Sequence, residues 1–458
     1  MKKLFSAFLS FTILMITLLS FPVASNAAVY EPNETIYSDA YMLVNLDDDS
    51  YPVVAQKNQD MLKYPASLTK IVTAIVTIEK EPDLSREVTV SRNAIESLYG
   101  TGAQVAGLEI GDTITIEQLL YLTMVHSACD ACQVLAEAVS GSVEAFVQEM
   151  NDWAASVGCE NTHFVNPDGL HDENHYTTAS DMTKITLKAL ENEVFEKIST
   201  TVQYEYNGTN FYHTNLMLQS GYLSYYYPNA KGIKTGSTQQ AGYCVIVKAS
   251  KGGYNYLAVV LDSPVEMING YKTKCSFIDA ATLFDWAFNS LKYETVVRKN
   301  DIAYEVPVNN GKDADTVQLV IKDDVSTLVP ASLDPSGVMI KAVDPPESLD
   351  APVMKDDVIC KADIIYADKT IATVDLVAAK TVELSTFLKI INALKKFFTN
   401  KIVIAVLLLL IICAVLYVVI FLNRLYKDKQ RIEARRRHQD ELDRELYGED
   451  DYLAPPKK

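Results

Sequence analysis

A serine placed three residues ahead of a lysine can be made into a nucleophile. Ser67 and Lys70 stand in that relation within Tyr64-Pro65-Ala66-Ser67-Leu68-Thr69-Lys70. The apolar residues Ile71, Val72, Ile75, Val76 and Ile78 follow, a helix-like pattern along a buried segment. On a helix, positions i and i+3 share a face, so the amine lies beside the hydroxyl at the first turn. Serine is a weak nucleophile until a base takes its proton. A lysine serves as that base when burial and nearby positive charge hold it neutral. The helix N-terminus adjoins the hydroxyl and favours a developing oxyanion. Alone, S-x-x-K is weak evidence, because chance produces it in chains of this length. Lys234-Thr235-Gly236 supplies a second element, at the start of a β-rich region. The two motifs in this order, one on a helix and one on a strand, are far more specific than either alone.

Two other constellations compete for attention. His171 and His175 are four apart in His171-Asp172-Glu173-Asn174-His175. A zinc pair at that spacing needs a helix, and the preceding Asn166-Pro167-Asp168-Gly169 argues for a loop. Cys129-x-x-Cys132 has redox spacing, against which stands the plainer reading of two small side chains packed in a helix. The serine–lysine chemistry calls for no metal and no cofactor.

The elements that must position these residues follow from the hydrophobic pattern. Runs at residues 41–46 and 51–55, separated by Asp47-Asp48-Asp49-Ser50, predict a β-hairpin. Helical segments are expected over 116–138 and 143–157. After Gly232 the pattern turns to strands, at 243–248 and 256–261 around Lys251-Gly252-Gly253, and a helix is expected over 276–291. The fold class is α/β (α+β): helices packed around an antiparallel sheet. From Tyr293 to Leu384, short alternating segments are broken by Asn309-Asn310-Gly311, Asp334-Pro335-Ser336-Gly337 and Pro345-Pro346, which predicts a separate all-β module.

At this point the sequence resembles the serine D-Ala-D-Ala carboxypeptidases among the low-molecular-mass penicillin-binding proteins. The stretches YPASLTKIVTA, NPDGLHDENHYTTASDM and GIKTGSTQQAGYCVIVKAS carry the resemblance, which covers Ser38 to about Phe288. The module at 293–384 is similar to the family's β-rich C-terminal domain, best in APVMKDDVICKADIIYADKTIATVDLVAAKTVELS. The resemblance implies a penicillin-binding/β-lactamase-like transpeptidase fold. It implies removal of the terminal D-alanine from peptidoglycan stem peptides, with β-lactam antibiotics as covalent inhibitors. Carried over by motif, Ser67 is the acylated nucleophile and Lys70 its general base. Ser127 matches the serine of the family's S-x-N motif and relays a proton toward the leaving D-alanine. Lys234 holds Ser127 and faces the substrate carboxylate, Thr235 hydrogen-bonds that carboxylate, and Gly236 completes the motif. The backbone N–H groups of Ser67 and Ser237 form the oxyanion hole.

One departure stands out. The third residue of S-x-N is Cys129, in His126-Ser127-Ala128-Cys129-Asp130-Ala131-Cys132. A thiol is a weak donor and a weak acceptor, whereas an asparagine amide is strong in both roles. Weaker positioning is expected, with nucleophile, base and oxyanion hole kept. Cys129 also supports a rival reading, a non-catalytic sensor that binds wall peptides or penicillin. A β-lactamase is a further alternative. Class A members use a glutamate to activate the deacylating water, and no matching E-P-x-x-N stretch lies between Ser127 and Lys234.

The ends of the chain set its expected location. Met1-Lys2-Lys3, an apolar run to Val23 and Ala24-Ser25-Asn26-Ala27-Ala28 form a signal-peptide pattern, with cleavage after Ala27. An uncharged apolar run at 402–422 is long enough to span a bilayer. Arg424, Lys427, Lys429, Arg431, Arg435, Arg436 and Arg437 follow it, which puts the C-terminus in the cytoplasm. The acidic tail from Gln439 is expected to be solvated or disordered. The expected organisation is thus a signal peptide at 1–27, a catalytic domain at 36–291, a β-rich domain at 293–384, a membrane helix at 402–422 and a tail at 423–458. A formal net charge of −18 argues against nucleic acid as a partner. Of seven cysteines, six lie in the exported part, where disulfides are permitted but their spacing requires none.

Overall fold

Strands Gly242–Lys251 and Tyr254–Ser263 are apolar at nearly every central position, because both faces of their sheet are covered. Ile246, Leu257, Val259 and Leu261 face one core with Leu68, Ile71, Val72 and Ile75. Val245, Val247, Ala258 and Val260 face a second core with Phe277, Leu283 and Phe284. The five-stranded sheet is antiparallel throughout, in the order Val53–Lys57, Ala40–Asn45, Tyr254–Ser263, Gly242–Lys251, Ala230–Thr238. Helix Cys275–Ser290 covers one face; helices Lys70–Lys80, Cys129–Ser140, Val143–Ser156 and Ala179–Leu190 build the core on the other. The computed structural model describes residues 29–48 and 50–447. The expected signal peptide and the end of the tail lie outside the described residues.

The expected helix over 116–138 is not continuous. Helix Ile116–Tyr121 passes into a π turn at Leu122–His126, Ser127 takes a left-handed conformation (φ 66°, ψ 34°), and a new helix starts at Cys129. Residues distant in sequence satisfy the backbone groups that the break sets free. The Cys129 N–H donates to the Gln104 carbonyl at 2.7 Å, and the Gln104 amide donates to the His126 carbonyl. The buried Asp130 carboxylate accepts from the N–H groups of Ala106, Gly107 and Leu108. Hydrophobic periodicity carries no trace of these contacts. It also missed the hairpin Gln203–Tyr206 with Thr209–Tyr212.

Two compact units divide the chain. The first holds the sheet just described and the residues 320–345 and 360–376. In it, Leu291–Val297 pairs antiparallel with Val325–Pro330, and Met339–Val343 pairs antiparallel with residues 361–365. The second comprises residues 304–319, 346–359 and 377 onward. Val308 and Asn309 pair in parallel with Leu349 and Asp350 there. Ser385 caps the helix Thr386–Thr399, which exposes Phe387, Ile390, Ile391, Leu394 and Phe398. Helix Lys401–Tyr447 follows and is long and apolar enough to cross a membrane. It runs on through the basic segment, so residues 439–447 are helical rather than irregular.

Candidate active site

Ser67 sits in a single 3-10 turn, Ala66–Thr69, that leads into helix Lys70–Lys80. The turn is held in an unusual shape, because Ala66 has φ 47°. Thr69 Oγ1 donates to the Ala66 carbonyl at 2.8 Å and lies 2.7 Å from His175 Nε2. His175 Nδ1 accepts from the Val165 N–H, so its other nitrogen carries the hydrogen that meets Thr69. Burial drops the His175 pKa to about 3, which keeps the ring neutral. Both ring nitrogens are thus occupied and neither is free for a metal. Gly169 closes the turn from below. It has φ +81°, and a Cβ there would lie 1.9 Å from the Ala66 carbonyl oxygen.

Lys70 is fully buried, and its Nζ donates to Ser67 Oγ at 3.0 Å. It also donates to the Asp168 carbonyl and reaches Cys129 Sγ at 3.4 Å. The Asp168 carboxylate is turned away, accepting from Gln133 Nε2 at 2.7 Å and from the Leu170 N–H. Opposite, the fully buried Lys234 donates to Ser127 Oγ at 2.9 Å and to the Thr235 carbonyl at 3.0 Å. The left-handed turn at Ser127 is what aims its hydroxyl at this amine.

Burial is the largest influence on Lys70 and lowers it; charge on Cys129, on Cys132 and on Asp168 would raise it. With ionised thiols the amine would lie above its ordinary range. Burial, however, pushes both thiols up, Cys132 furthest, so protonated thiols leave less to oppose the burial of Lys70. Burial and then the charge on Lys70 hold Lys234 well below its ordinary range. Two ammoniums buried in one pocket penalise each other, which disfavours charging both at once.

The third element is the edge strand Ala230–Thr238. Gly236 allows it to approach the nucleophile turn, because a Cβ there would lie 2.8 Å from the Pro65 carbonyl and 3.1 Å from the Ser67 nitrogen. Thr235 Oγ1 donates to Thr214 Oγ1 at 2.6 Å. Ser67, Ser127, Cys129, Asp168, Thr214, Thr235, Gly236 and Ser237 all line one cleft of about 980 Å³. Lys70 and Lys234 stand behind its serines. The expected site residues Ser67, Lys70, Ser127, Lys234, Thr235, Gly236 and Ser237 therefore converge here. Asp168, Gly169, His175 and Thr214 were missed as parts of the site. Asn166-Pro167-Asp168-Gly169 had announced only a loop, and His175 only a metal pair. Cys132 does not face the cleft; its thiol is buried and donates to the Ala128 carbonyl.

A mixed α/β fold with a serine–lysine pair on one wall of a cleft and a Lys-Thr-Gly strand on another defines the class of penicillin-binding enzymes. Comparison with known proteins takes this further. A family model described as D-alanyl-D-alanine carboxypeptidase matches residues 26–265, and one described as penicillin-binding protein 5, C-terminal domain, matches 292–384. D-alanyl-D-alanine carboxypeptidase DacF of Bacillus subtilis is 30% identical over 319 residues, 69% of this chain and 79% of the relative. DacA of Escherichia coli is 28% identical over 377 residues, 79% of this chain and 88% of the relative. The solved structure of penicillin binding protein 5 from Haemophilus influenzae superposes with a TM-score of 0.57 at 26% identity, covering 78% of this chain and 100% of that one. The chain belongs to the D-alanyl-D-alanine carboxypeptidase family and is a serine-type carboxypeptidase of the bacterial cell wall. It carries the family's C-terminal β domain.

Proposed function

We propose that Ser67 is the acylated nucleophile in removal of the terminal D-alanine from peptidoglycan stem peptides. Lys70 takes the Ser67 proton as the hydroxyl attacks the penultimate carbonyl. The N–H groups of Ser67 and Ser237 receive the oxyanion. Ser127, held by Lys234, passes a proton to the departing amine and regains one from the Lys70 ammonium, so the proton taken from Ser67 leaves with D-alanine. Water then attacks the ester as the freed Lys70 amine takes its proton, and Lys70 returns that proton to Ser67 as the acid departs. Lys234 and Thr235 meet the terminal carboxylate. The observation that carries this reading is the pair of buried contacts, Lys70 to Ser67 and Lys234 to Ser127, across one cleft.

The long C-terminal helix serves as a membrane anchor. The catalytic domain lies on the extracytoplasmic side and the basic segment after the span on the cytoplasmic side. In this reading the helix supplies location, not chemistry. The weak acceptor at Cys129 supports the rival reading, a protein that is acylated but scarcely turns over.

One experiment separates them. The full-length chain in detergent is incubated with penicillin and analysed by mass spectrometry, then assayed for D-alanine release from a D-Ala-D-Ala peptide. One acyl group on a peptide containing Ser67, together with release of D-alanine, is expected. A Ser67→Ala protein that still became acylated would end the assignment of the nucleophile. Acylation without turnover would favour the sensor.

A further inference from the structure

We infer that Asp168, tied by Gln133, is a positioning residue for Lys70: it holds the amine against Ser67 and stabilises the ammonium that forms when Lys70 takes the Ser67 proton. The inference rests on the proposed carboxypeptidase site. Asp168 and Gln133 are both buried, and the proposed steps use neither side chain. The Asp168 carbonyl accepts from Lys70 Nζ. Its carboxylate accepts at both oxygens, from the Leu170 N–H at 2.9 Å and from Gln133 Nε2 at 2.7 Å. Gln133 stands four residues after Cys129 on one helix, so the two side chains share a face, and Cys129 Sγ lies 3.4 Å from the same amine. The helix that begins after Ser127 therefore reaches Lys70 twice, once directly and once through Asp168. The loop is tied at its other residues too: Thr73 Oγ1 donates to the Pro167 carbonyl, and Asn166 Oδ1 accepts from the Gly169 N–H.

Transfer of the Ser67 proton breaks the serine O–H bond, forms an N–H bond on Lys70 and leaves an ammonium fully buried. Such a charge is costly unless a counter-charge faces it. The groups around Lys70 differ in what they offer. Lys234 carries the same sign and penalises it. Burial raises the thiols of Cys129 and Cys132 and so favours their uncharged forms. His175, dropped to about 3 by burial, stays neutral. Asp130 is engaged by the N–H groups of Ala106, Gly107 and Leu108. Asp168 is the carboxylate whose charge favours the ammonium. Because that carboxylate is turned from the amine, it attracts the proton without accepting it, and Lys70 remains free to pass the proton on. Gln133 fixes this orientation.

The test follows acylation of Ser67 by penicillin against pH, using the full-length chain in detergent. The acid limb of the profile reads protonation of Lys70. Asp168→Asn removes the charge and keeps the size, and a turn of the Gln133 amide keeps the hydrogen bond. The ammonium then lacks its counter-charge, so the acid limb should move down by about one pH unit or more. The plateau rate should fall as well, because the base is weaker. Gln133→Leu keeps the charge and removes the tie. Its plateau should fall about tenfold, the effect of losing one hydrogen bond to a charged group. The double variant should lose less than the product of the two single losses. An acid limb unmoved in Asp168→Asn overturns the inference, since a packing role alone would lower the plateau and leave the limb in place. So does a Gln133→Leu plateau equal to the parent's, which decides the matter even where Asp168→Asn does not fold. The parent keeps the premise separate. A parent that is never labelled refutes the site itself, and a labelled parent without an acid limb removes Lys70 as the base and the inference with it. A labelled parent whose limb Asp168→Asn leaves in place refutes only Asp168.

Discussion

The two walls of the cleft reach the same end by different means. The Ser67 wall is a helix start. Its nucleophile and its base are three residues apart, and the 3-10 turn and helix that follow bring them together. The Ser127 wall is a helix interrupted. Ser127 meets Lys234 only because a π turn and a left-handed residue divert the chain, and Asp130 and Gln104 hold the diversion open. Both walls contain a non-glycine residue at positive φ, Ala66 at 47° and Ser127 at 66°. Each carries a cost of order 1–3 kcal/mol, which only surrounding contacts can sustain. Local geometry pairs Ser67 with Lys70 on one wall, whereas on the other long-range hydrogen bonds bring Ser127 to Lys234.

The largest expected effect lies on the first wall. Lys70→Ala should slow acylation of Ser67 by penicillin by about 10²–10⁴-fold, the range for loss of a positioned base. Ser127→Ala should slow it less, because Ser127 serves the leaving group rather than the nucleophile. Stopped-flow labelling with a chromogenic β-lactam checks the order; the reverse order would break the assignment of the walls. Next comes Gly169→Ala. Overpacking against the Ala66 carbonyl and a left-handed alanine together should cost about 2–5 kcal/mol. Gly141 is the control: its φ is also +81°, but nothing lies within 4 Å of a Cβ there. Gly141→Ala should cost only the left-handed part, about 1–2 kcal/mol. Thermal unfolding compares the two, and equal losses would remove Gly169 from its place under the nucleophile turn.

The difference between the walls also explains what could be read in advance. Ser67, Lys70 and Lys234 were legible because residue type and spacing carry their chemistry. The sheet was legible because both its faces are buried, so its strands read as apolar runs. Ser127 was reached only through a family resemblance, and the segment around it was expected to be plain helix. Its conformation depends on Gln104 and Asp130, whose partners lie more than twenty positions away. Thr214 gave no signal, since a hydroxyl pair across two segments has no spacing rule. Asp168 was visible as loop chemistry, but nothing local announced that its carbonyl would accept from Lys70.

Acid should weaken both walls. His175 sits behind the Ser67 turn, and His213 stands beside Thr214 and Asn215. Burial is the main cause that drops each from 6.5 to about 3. A histidine depressed in the fold stays neutral there while the unfolded chain takes up a proton. Its contribution is therefore complete above pH 6.5 and is lost as pH falls from 6.5 toward 3. Each ring should remove about 1.4 kcal/mol of stability per pH unit in that window. Chemical unfolding at pH 7, 6 and 5 measures the slope. His175→Gln and His213→Gln should each flatten it by about one proton. A variant with the parent's slope would show that its histidine charges freely within the fold.

The smallest effect concerns the residue that joins the walls. Cys129 begins the helix after Ser127, and its thiol lies 3.4 Å from the Lys70 amine. Sulfur is a weak acceptor, so Lys70 relies on Ser67 and on the Asp168 carbonyl for its position. Cys129→Asn places a strong acceptor beside the amine. A gain of about 1 kcal/mol in that contact would raise turnover roughly fivefold. The amide is larger than the thiol in a buried position, so packing strain offsets part of the gain. Cys129→Ala is the reference, because it removes the thiol without adding an amide. An alanine form equal to the parent and an asparagine form that is faster would mark Cys129 as a tolerated weak point between two sound walls. An alanine form that lost most activity would give the thiol an active part and contradict this account. The assay belongs in both the presence and the absence of reductant. A reductant-dependent rate that vanished in Cys132→Ser would show a disulfide with Cys132 drawing Cys129 away from Lys70. In that event the site would respond to oxidation at the one place where its two walls meet.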